Sequence, residues 1–240
     1  MRLGVIGCGT IASAVVRGIA DDGHDITVSK RSSTHANALA ECYDNVSIAD
    51  NQSVVDASDV ILLGLIGELA PDVLGALRFR EGQRLISFMA AASLEQADAM
   101  VRPARVVALM MPFPGISTGG TPILAQGDTG LVGQLFGARN SIYRLKDGTE
   151  MAAYLCAQAV LSPVARLISD TADWLGERVS DKEQGEAFLR ELVASNLSET
   201  ESAALVEALN TPGGFNQRLR THMEASGMDE ALRAGLNLLE

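Results

Sequence analysis

Leu3-Gly4-Val5-Ile6-Gly7-Cys8-Gly9-Thr10-Ile11-Ala12 decides how the chain is read. The first four residues form an apolar, β-prone run, and Ile11 opens a stretch, 11–20, in which Val15, Val16 and Ile19 recur at helical spacing. Gly7 and Gly9 stand between them. A strand that turns into a helix through Gly-x-Gly-x-x-Ala suits a dinucleotide pyrophosphate. Gly7 takes the tight turn, Gly9 lets the backbone approach the phosphates, and Ala12 keeps the helix close to the sheet. The first N–H groups of the helix, on Thr10, Ile11 and Ala12, would then point at the anion. The plainer alternative is a tight strand-to-helix turn with no ligand.

Outward from this turn, short β-rich runs alternate with helical stretches as far as residue 145. Strands are expected at 3–6, 26–29, 46–48, 60–65, 84–88 and 106–110, with weaker ones at 122–124 and 141–145. Helices are expected at 11–20, 36–42, 54–57, 71–77 and 94–100. Such alternation predicts an α/β fold, a doubly wound parallel sheet of Rossmann type. Beyond Asp147 the β-rich runs stop, and helices are expected at 151–175, 182–195, 199–209, 215–226 and 229–239. The division is therefore a nucleotide-binding domain at 1–146 and a smaller all-helical domain at 147–240. The first helix of the second domain carries Ala152, Leu155, Ala159, Val160, Val164, Leu167 and Ile168 with few charges, more apolar surface than one small domain can cover. Self-association through it, giving a homodimer or higher homo-oligomer, is expected.

The charge balance is 19 Lys and Arg against 30 Asp and Glu, −11 in all; 1–146 carries −2 and 147–240 carries −9. That excess of acid excludes a general nucleic-acid binder and an anionic membrane surface as partners. Three cysteines, Cys8, Cys42 and Cys156, show no paired spacing, so neither a disulfide framework nor a metal site is expected. After Met1-Arg2 the chain enters its first strand directly, which reads as a cytoplasmic protein without a signal peptide. The longest uncharged apolar run, 151–165, is 15 residues long and contains Gln158 and Pro163; it is short for a membrane span and reads as a buried helix.

At the end of the second strand, where an NAD-binding site would place a carboxylate for the ribose diol, the chain has Ser29-Lys30-Arg31-Ser32. Two cations and flanking hydroxyls suit a 2′-phosphate instead, Arg31 through its planar fork, so the expected cofactor is NADP(H). Late in the chain, Thr211-Pro212-Gly213-Gly214-Phe215-Asn216 could present backbone N–H groups of adjacent glycines to a substrate carboxylate, or could simply connect two helices. Phe215 is expected to pack, Tyr154 and Ser162 to be satisfied core groups, Trp174 to be a core or interface anchor and His222 to be an exposed helix residue.

These segments together resemble pyrroline-5-carboxylate reductase, the NADPH-dependent enzyme family that makes proline. Gly7-Cys8-Gly9 resembles its glycine loop, Ser29-Lys30-Arg31-Ser32 its 2′-phosphate loop and Asp59-Val60-Ile61-Leu62 its fourth strand. Leu85-Ile86-Ser87, Ala90-Ala91, Ser93-Leu94-Glu95 and Met111-Pro112 resemble the segments around the nicotinamide, and Thr211-Pro212-Gly213-Gly214 its substrate turn. The resemblance implies a Rossmann domain plus a dimerising helical domain. Gly7, Gly9, Thr10, Ile11, Ala12, Ser29, Lys30, Arg31, Ser32, Gly64, Leu65 and Ala90 would hold the cofactor, Gly213, Gly214, Phe215 and Pro112 the substrate, and Asn216 and Thr211 would be the catalytic side chains. The sequence departs from the family where substrate binds. Ile66 replaces a lysine after the fourth strand, Phe113-Pro114-Gly115 replaces an Asn-Thr-Pro run, 156–161 lacks the Ser-Gly-Ser-Gly pattern, and Phe215-Asn216 replaces two small residues. The implied activity is reduction of a small cyclic imino acid. A reductase of another imine, carbonyl or deazaflavin acceptor and a non-catalytic NADP-binding protein stay open beside it.

Overall fold

The computed structural model describes residues 1–89 and 92–239. Its strands are β1 (Arg2–Ile6), β2 (Asp25–Ser29), β3 (Val46–Ala49), β4 (Val60–Leu63), β5 (Arg84–Ser87), β6 (Arg105–Pro112), β7 (Pro122–Gly127) and β8 (Ser141–Arg144). They form one sheet in the order β3-β2-β1-β4-β5-β6-β7-β8. Neighbours from β3 to β6 are parallel, β7 is antiparallel to β6, and β8 is parallel to β7. The strand order reverses between β1 and β4, the point at which open α/β sheets leave a crevice beyond the carboxyl ends of their strands. This is the doubly wound α/β architecture expected from the alternation.

Helices α1 (Thr10–Ile19), α2 (Ser33–Cys42), α3 (Asn51–Ala57), α4 (Ala70–Gly75), α5 (Leu94–Ala99) and α6 (Thr129–Phe136) accompany the sheet. All four residues of β4, Val-Ile-Leu-Leu, are buried, as a parallel strand covered on both faces requires. α1 buries Ala12, Val15, Val16 and Ile19 in the core with Leu3, Val5 and Val28. Local chemistry sets the helix starts. The Asp50 carboxylate accepts from the Ser53 N–H ahead of α3, and Ser93 with Gln96 forms a capping box ahead of α5. The sequence reading had no helix where α6 lies, because Gly130 and Gly133 weaken its periodic signal. Asp128 caps it, and Leu131, Val132, Leu135 and Phe136 bury its apolar face.

By backbone contacts the chain divides between Met151 and Ala152, within helix α7 (Gly148–Ala157). The second unit continues with a 3-10 turn at Gln158–Val160 and helices α8 (Leu161–Gly176), α9 (Lys182–Glu199), α10 (Ser202–Ala208), α11 (Phe215–Ala225) and α12 (Met228–Asn237). The single helix expected over 151–175 is thus two, broken where Pro163 has no N–H to give the carbonyl of Ala159. Nor is it buried. Among the described residues of 152–239 only Gly176 is buried. Leu161 is 67% exposed and Trp174 58%, and Tyr154 and Ser162 are also exposed rather than in a core. The expectations of a buried helix and of core roles for Tyr154 and Ser162 are not met, and Trp174, expected in a core or at an interface, is not in a core of this chain. Trp174 is instead overlaid by the Arg178 guanidinium, 4.1 Å from its ring centre.

Candidate functional site at the strand ends

The glycine loop is built from three close approaches. Gly7 has φ +86°, and a Cβ there would stand 2.6 Å from the Gly64 carbonyl oxygen. Gly64 in turn leaves room for the Gly7 carbonyl and the Ala12 methyl, which a Cβ would meet at 2.5 and 2.8 Å. The end of β4 therefore rests on both the loop and the start of α1, and only glycines fit at that junction. Leu65 is buried with its side chain against Gly7. Gly64 and Leu65, expected to touch cofactor, thus act from beneath the loop, as does buried Ala12. Ser29 is a second correction. Its side chain is fully buried, and its hydroxyl accepts the Gly7 N–H at 3.0 Å, tying the end of β2 to the loop, so it is not available to a phosphate.

Above this packed base the loop is open. A Cβ on Gly9 would meet nothing within 4 Å. Gly9 heads α1 without any side-chain cap, so the first-turn N–H groups, Thr10 and Ile11 included, have no side-chain acceptor. Room left by a missing side chain, over uncapped N–H groups at the positive end of a helix, fits a pyrophosphate. Cys8 lies inside the loop but faces the core; burial pushes its thiol up to about 11, which removes it as a nucleophile near neutral pH.

Lys30 and Arg31 follow β2 and are exposed, and Ser32 heads α2 with its hydroxyl making no cap bond. The acidic group beside Lys30 is Asp50, whose carboxylate accepts from both the N–H and the hydroxyl of Ser53, which hold it below the usual carboxylate range. The residues at this edge fit a dinucleotide bearing a 2′-phosphate better than one bearing a free ribose diol.

On the acceptor side, Pro112 ends β6 and is half-buried, while Pro114–Ser117 forms a 3-10 turn that packs on α1. Ile116 is buried there, and its carbonyl lies 2.4 Å from where a Gly18 Cβ would be. The expected Pro112–Gly115 turn is therefore divided between strand end and helix packing. Ala90 and its neighbour Ala91 lie outside the described residues.

In the helical unit, Thr211, Pro212 and Gly213 form an exposed turn into α11, and Gly214 is its N-cap. The N–H groups expected to be free are not. Gly213 donates to the Gln217 side chain at 2.8 Å and Gly214 to the Thr211 carbonyl at 2.9 Å. Gln217, four residues along and in the first turn of α11, supplies the acceptor for Gly213. Phe215, expected to pack, is 89% exposed. Thr211 and Asn216 are exposed, and His222 is exposed as expected. Among the described residues no cluster of His, Cys, Asp or Glu is arranged to hold a metal ion.

Residues 2–91 match the family described as NADP oxidoreductase, coenzyme F420-dependent. The whole chain is similar in structure to 1-pyrroline-5-carboxylate reductase from Streptococcus pyogenes, with TM-score 0.84 and 21% identity over 100% of this chain and 96% of that one. It is similar also to the pyrroline carboxylate reductase of Plasmodium falciparum, which was solved with NADP bound, with TM-score 0.83 and 15% identity over 100% and 95%. An imine reductase from Pseudomonas sp. follows with TM-score 0.65 and 19% identity over 86% and 77%. Residues 2–91 are thus similar to that family, and the chain as a whole has the fold of the pyrroline-5-carboxylate reductases.

Proposed function

We propose that the protein is an NADP(H)-dependent oxidoreductase that reduces the C=N bond of a small cyclic substrate, with pyrroline-5-carboxylate or a close analogue as the first candidate. The observation that carries this reading is the edge at the ends of β1 and β2, where an uncapped α1 opens over the space left by Gly9 and Lys30 and Arg31 stand exposed, with Asp50 beside them engaged by Ser53. Thr10 and Ile11 would hold the pyrophosphate through backbone N–H groups, and Lys30, Arg31 and Ser32 the 2′-phosphate. The chemistry supplied by bound NADPH is a hydride to the carbon of C=N, whose π pair passes to nitrogen with a proton, giving amine and NADP+. A C=N carbon is already electrophilic once its nitrogen is protonated, so the chain's task is alignment and exclusion of water rather than strong acid–base catalysis. The names of the similar structures, pyrroline-5-carboxylate and imine reductases, support the choice of C=N. The coenzyme F420 in the matched family's description favours a deazaflavin acceptor as the second reading.

We also propose a homodimer. The helical unit has almost nothing buried, and a groove of about 650 Å³ between α8, α11 and α12 is lined by Val164, Leu167, Met223, Leu232 and Leu236; a second copy would cover both. A cytoplasmic setting without nucleic-acid or membrane partners is part of the same proposal. The stretch Gly148–Gly176 is long and apolar enough to cross a membrane, but it is interrupted before Pro163 and carries an Arg166–Asp170 ion pair. The test is NADPH oxidation at 340 nm with pyrroline-5-carboxylate, NADH in parallel. NADPH-selective turnover is the expected result; NADPH binding without turnover of any imine would overturn the reading.

A further inference from the structure

β1 ends at Ile6, whose carbonyl accepts the Gly64 N–H at 2.8 Å, and the next N–H along the chain, that of Gly7, donates to the Ser29 hydroxyl oxygen at 3.0 Å. From Gly7 the turn runs on as a chain of bonds. The Gly7 carbonyl accepts the Gly9 N–H at 3.0 Å, and the Gly9 carbonyl accepts the Ser13 N–H at 2.8 Å in the first turn of α1. Ser29 thus stands at the head of the series that places the N–H groups of Thr10 and Ile11. It is equally fixed on its other side. Ser29 is the last residue of β2, paired with Ala49 of β3, and the Lys30 N–H donates to the Ala49 carbonyl at 3.1 Å. Arg31 and Ser32 follow directly, and the Ser32 carbonyl accepts the Ala36 N–H at 3.0 Å as α2 begins.

A serine that is 0% exposed cannot reach a phosphate itself. What its hydroxyl supplies is the acceptor for the Gly7 N–H, which would otherwise be a donor without a partner. We infer that Ser29 is a positioning residue through which the cations after β2 and the glycine turn act as one clamp on NADP(H). The inference rests on the cofactor reading above. A 2′-phosphate seated on Lys30 and Arg31 steadies the end of β2, and the bond from Gly7 to Ser29 carries that order to the turn under the pyrophosphate. Ordering one end therefore leaves less to order at the other.

The test is fluorescence titration with NADPH and NADH of Ser29→Thr and Ser29→Val, which match in shape and differ by one hydroxyl, with Ser29→Ala as a smaller variant. Ser29→Thr should keep NADPH affinity within about twofold, and Ser29→Val should lose about tenfold or more. A double-mutant cycle with Arg31→Ala then measures the coupling. The doubly altered chain should bind NADPH at least about threefold more tightly than the product of the two single losses gives, because each change already releases what the other holds. NADH, which lacks the 2′-phosphate, should weaken in Ser29→Val and show no such coupling. Single losses that simply multiply would make the two ends independent and overturn the inference while leaving NADP(H) binding standing. Equal NADPH affinity in Ser29→Thr and Ser29→Val, or failure of both Ser29→Val and Ser29→Ala to fold, would confine Ser29 to the fold and overturn it likewise. An unaltered chain that binds no NADPH would overturn this inference and the cofactor reading together.

Discussion

Residues 1–151 and 152–239 are built on opposite principles. In the first unit Leu3, Ile6, Val15, Val28, Ile61 and Leu62 are each 1% exposed or less, and helices cover both faces of the sheet. In the second, the one buried residue among those described is a glycine, while Leu161, Phe188, Leu197 and Leu219 stand half or more exposed. Apolar burial contributes roughly 25 cal/mol per Å², so the first unit holds its own stabilisation and the second leaves most of its own unrealised. The proposed homodimer would cover these faces, since a second copy of the chain offers the same apolar surface in return.

The largest expected effect tests that contrast. Leu161→Glu with Leu167→Glu, at positions exposed in the single chain, should convert a dimer in sedimentation to monomer and remove much of the helical signal of the second unit in circular dichroism. A wild-type chain that sediments as a monomer with full helicity would break the comparison.

Within the first unit, two glycines separated by one residue should behave differently. Gly7→Ala forces a Cβ onto the Gly64 carbonyl at positive φ and should cost about 1–3 kcal/mol of stability, read as a lower melting temperature without cofactor. Gly9→Val places its side chain in open space; the melting temperature should hold while NADPH affinity, from fluorescence titration, falls at least about tenfold. Equal melting shifts for both would merge the packed base of the loop with its open top.

Arg31→Ala should weaken NADPH binding by about 10–100-fold, the value of a charge-assisted contact of roughly 1.5–3 kcal/mol, and leave NADH affinity unchanged. Equal losses for the two cofactors would separate Arg31 from the 2′-phosphate. The smallest effect is chemical. With its thiol raised to about 11, Cys8 stays protonated and covered at pH 8, so exposed Cys42 should react with a thiol reagent and Cys8 should not until the chain unfolds. Rapid labelling of Cys8 in the folded protein would contradict the closed base of the loop.

Legibility followed the distance over which each feature is decided. The parallel sheet, the glycine turn and the cation pair after β2 could be read locally, since four-residue apolar runs, Gly7-Cys8-Gly9 and Lys30-Arg31 carry their meaning within a few positions. The helix α6 was missed because burial against the sheet outweighs the cost of Gly130 and Gly133, and burial is not a local property. The engaged N–H groups at Gly213 and Gly214 were missed at short range, since a free and an occupied glycine turn have the same sequence pattern until the rotamer of Gln217 is known.

The sequence alone determined the strand and helix alternation and the glycine turn between β1 and α1, and set two cations after β2, because hydrophobic period, glycine conformational freedom and side-chain charge are intrinsic to the residues. Only the tertiary structure decided that Ser29 turns inward to Gly7 across 22 positions. It likewise decided that Gly64 is small for the sake of Gly7 and Ala12, and that Leu161, Leu167 and Trp174 of α8 stay about half or more exposed. Each of these depends on which distant backbone arrives within a few ångströms, and close packing settles that for the whole fold at once.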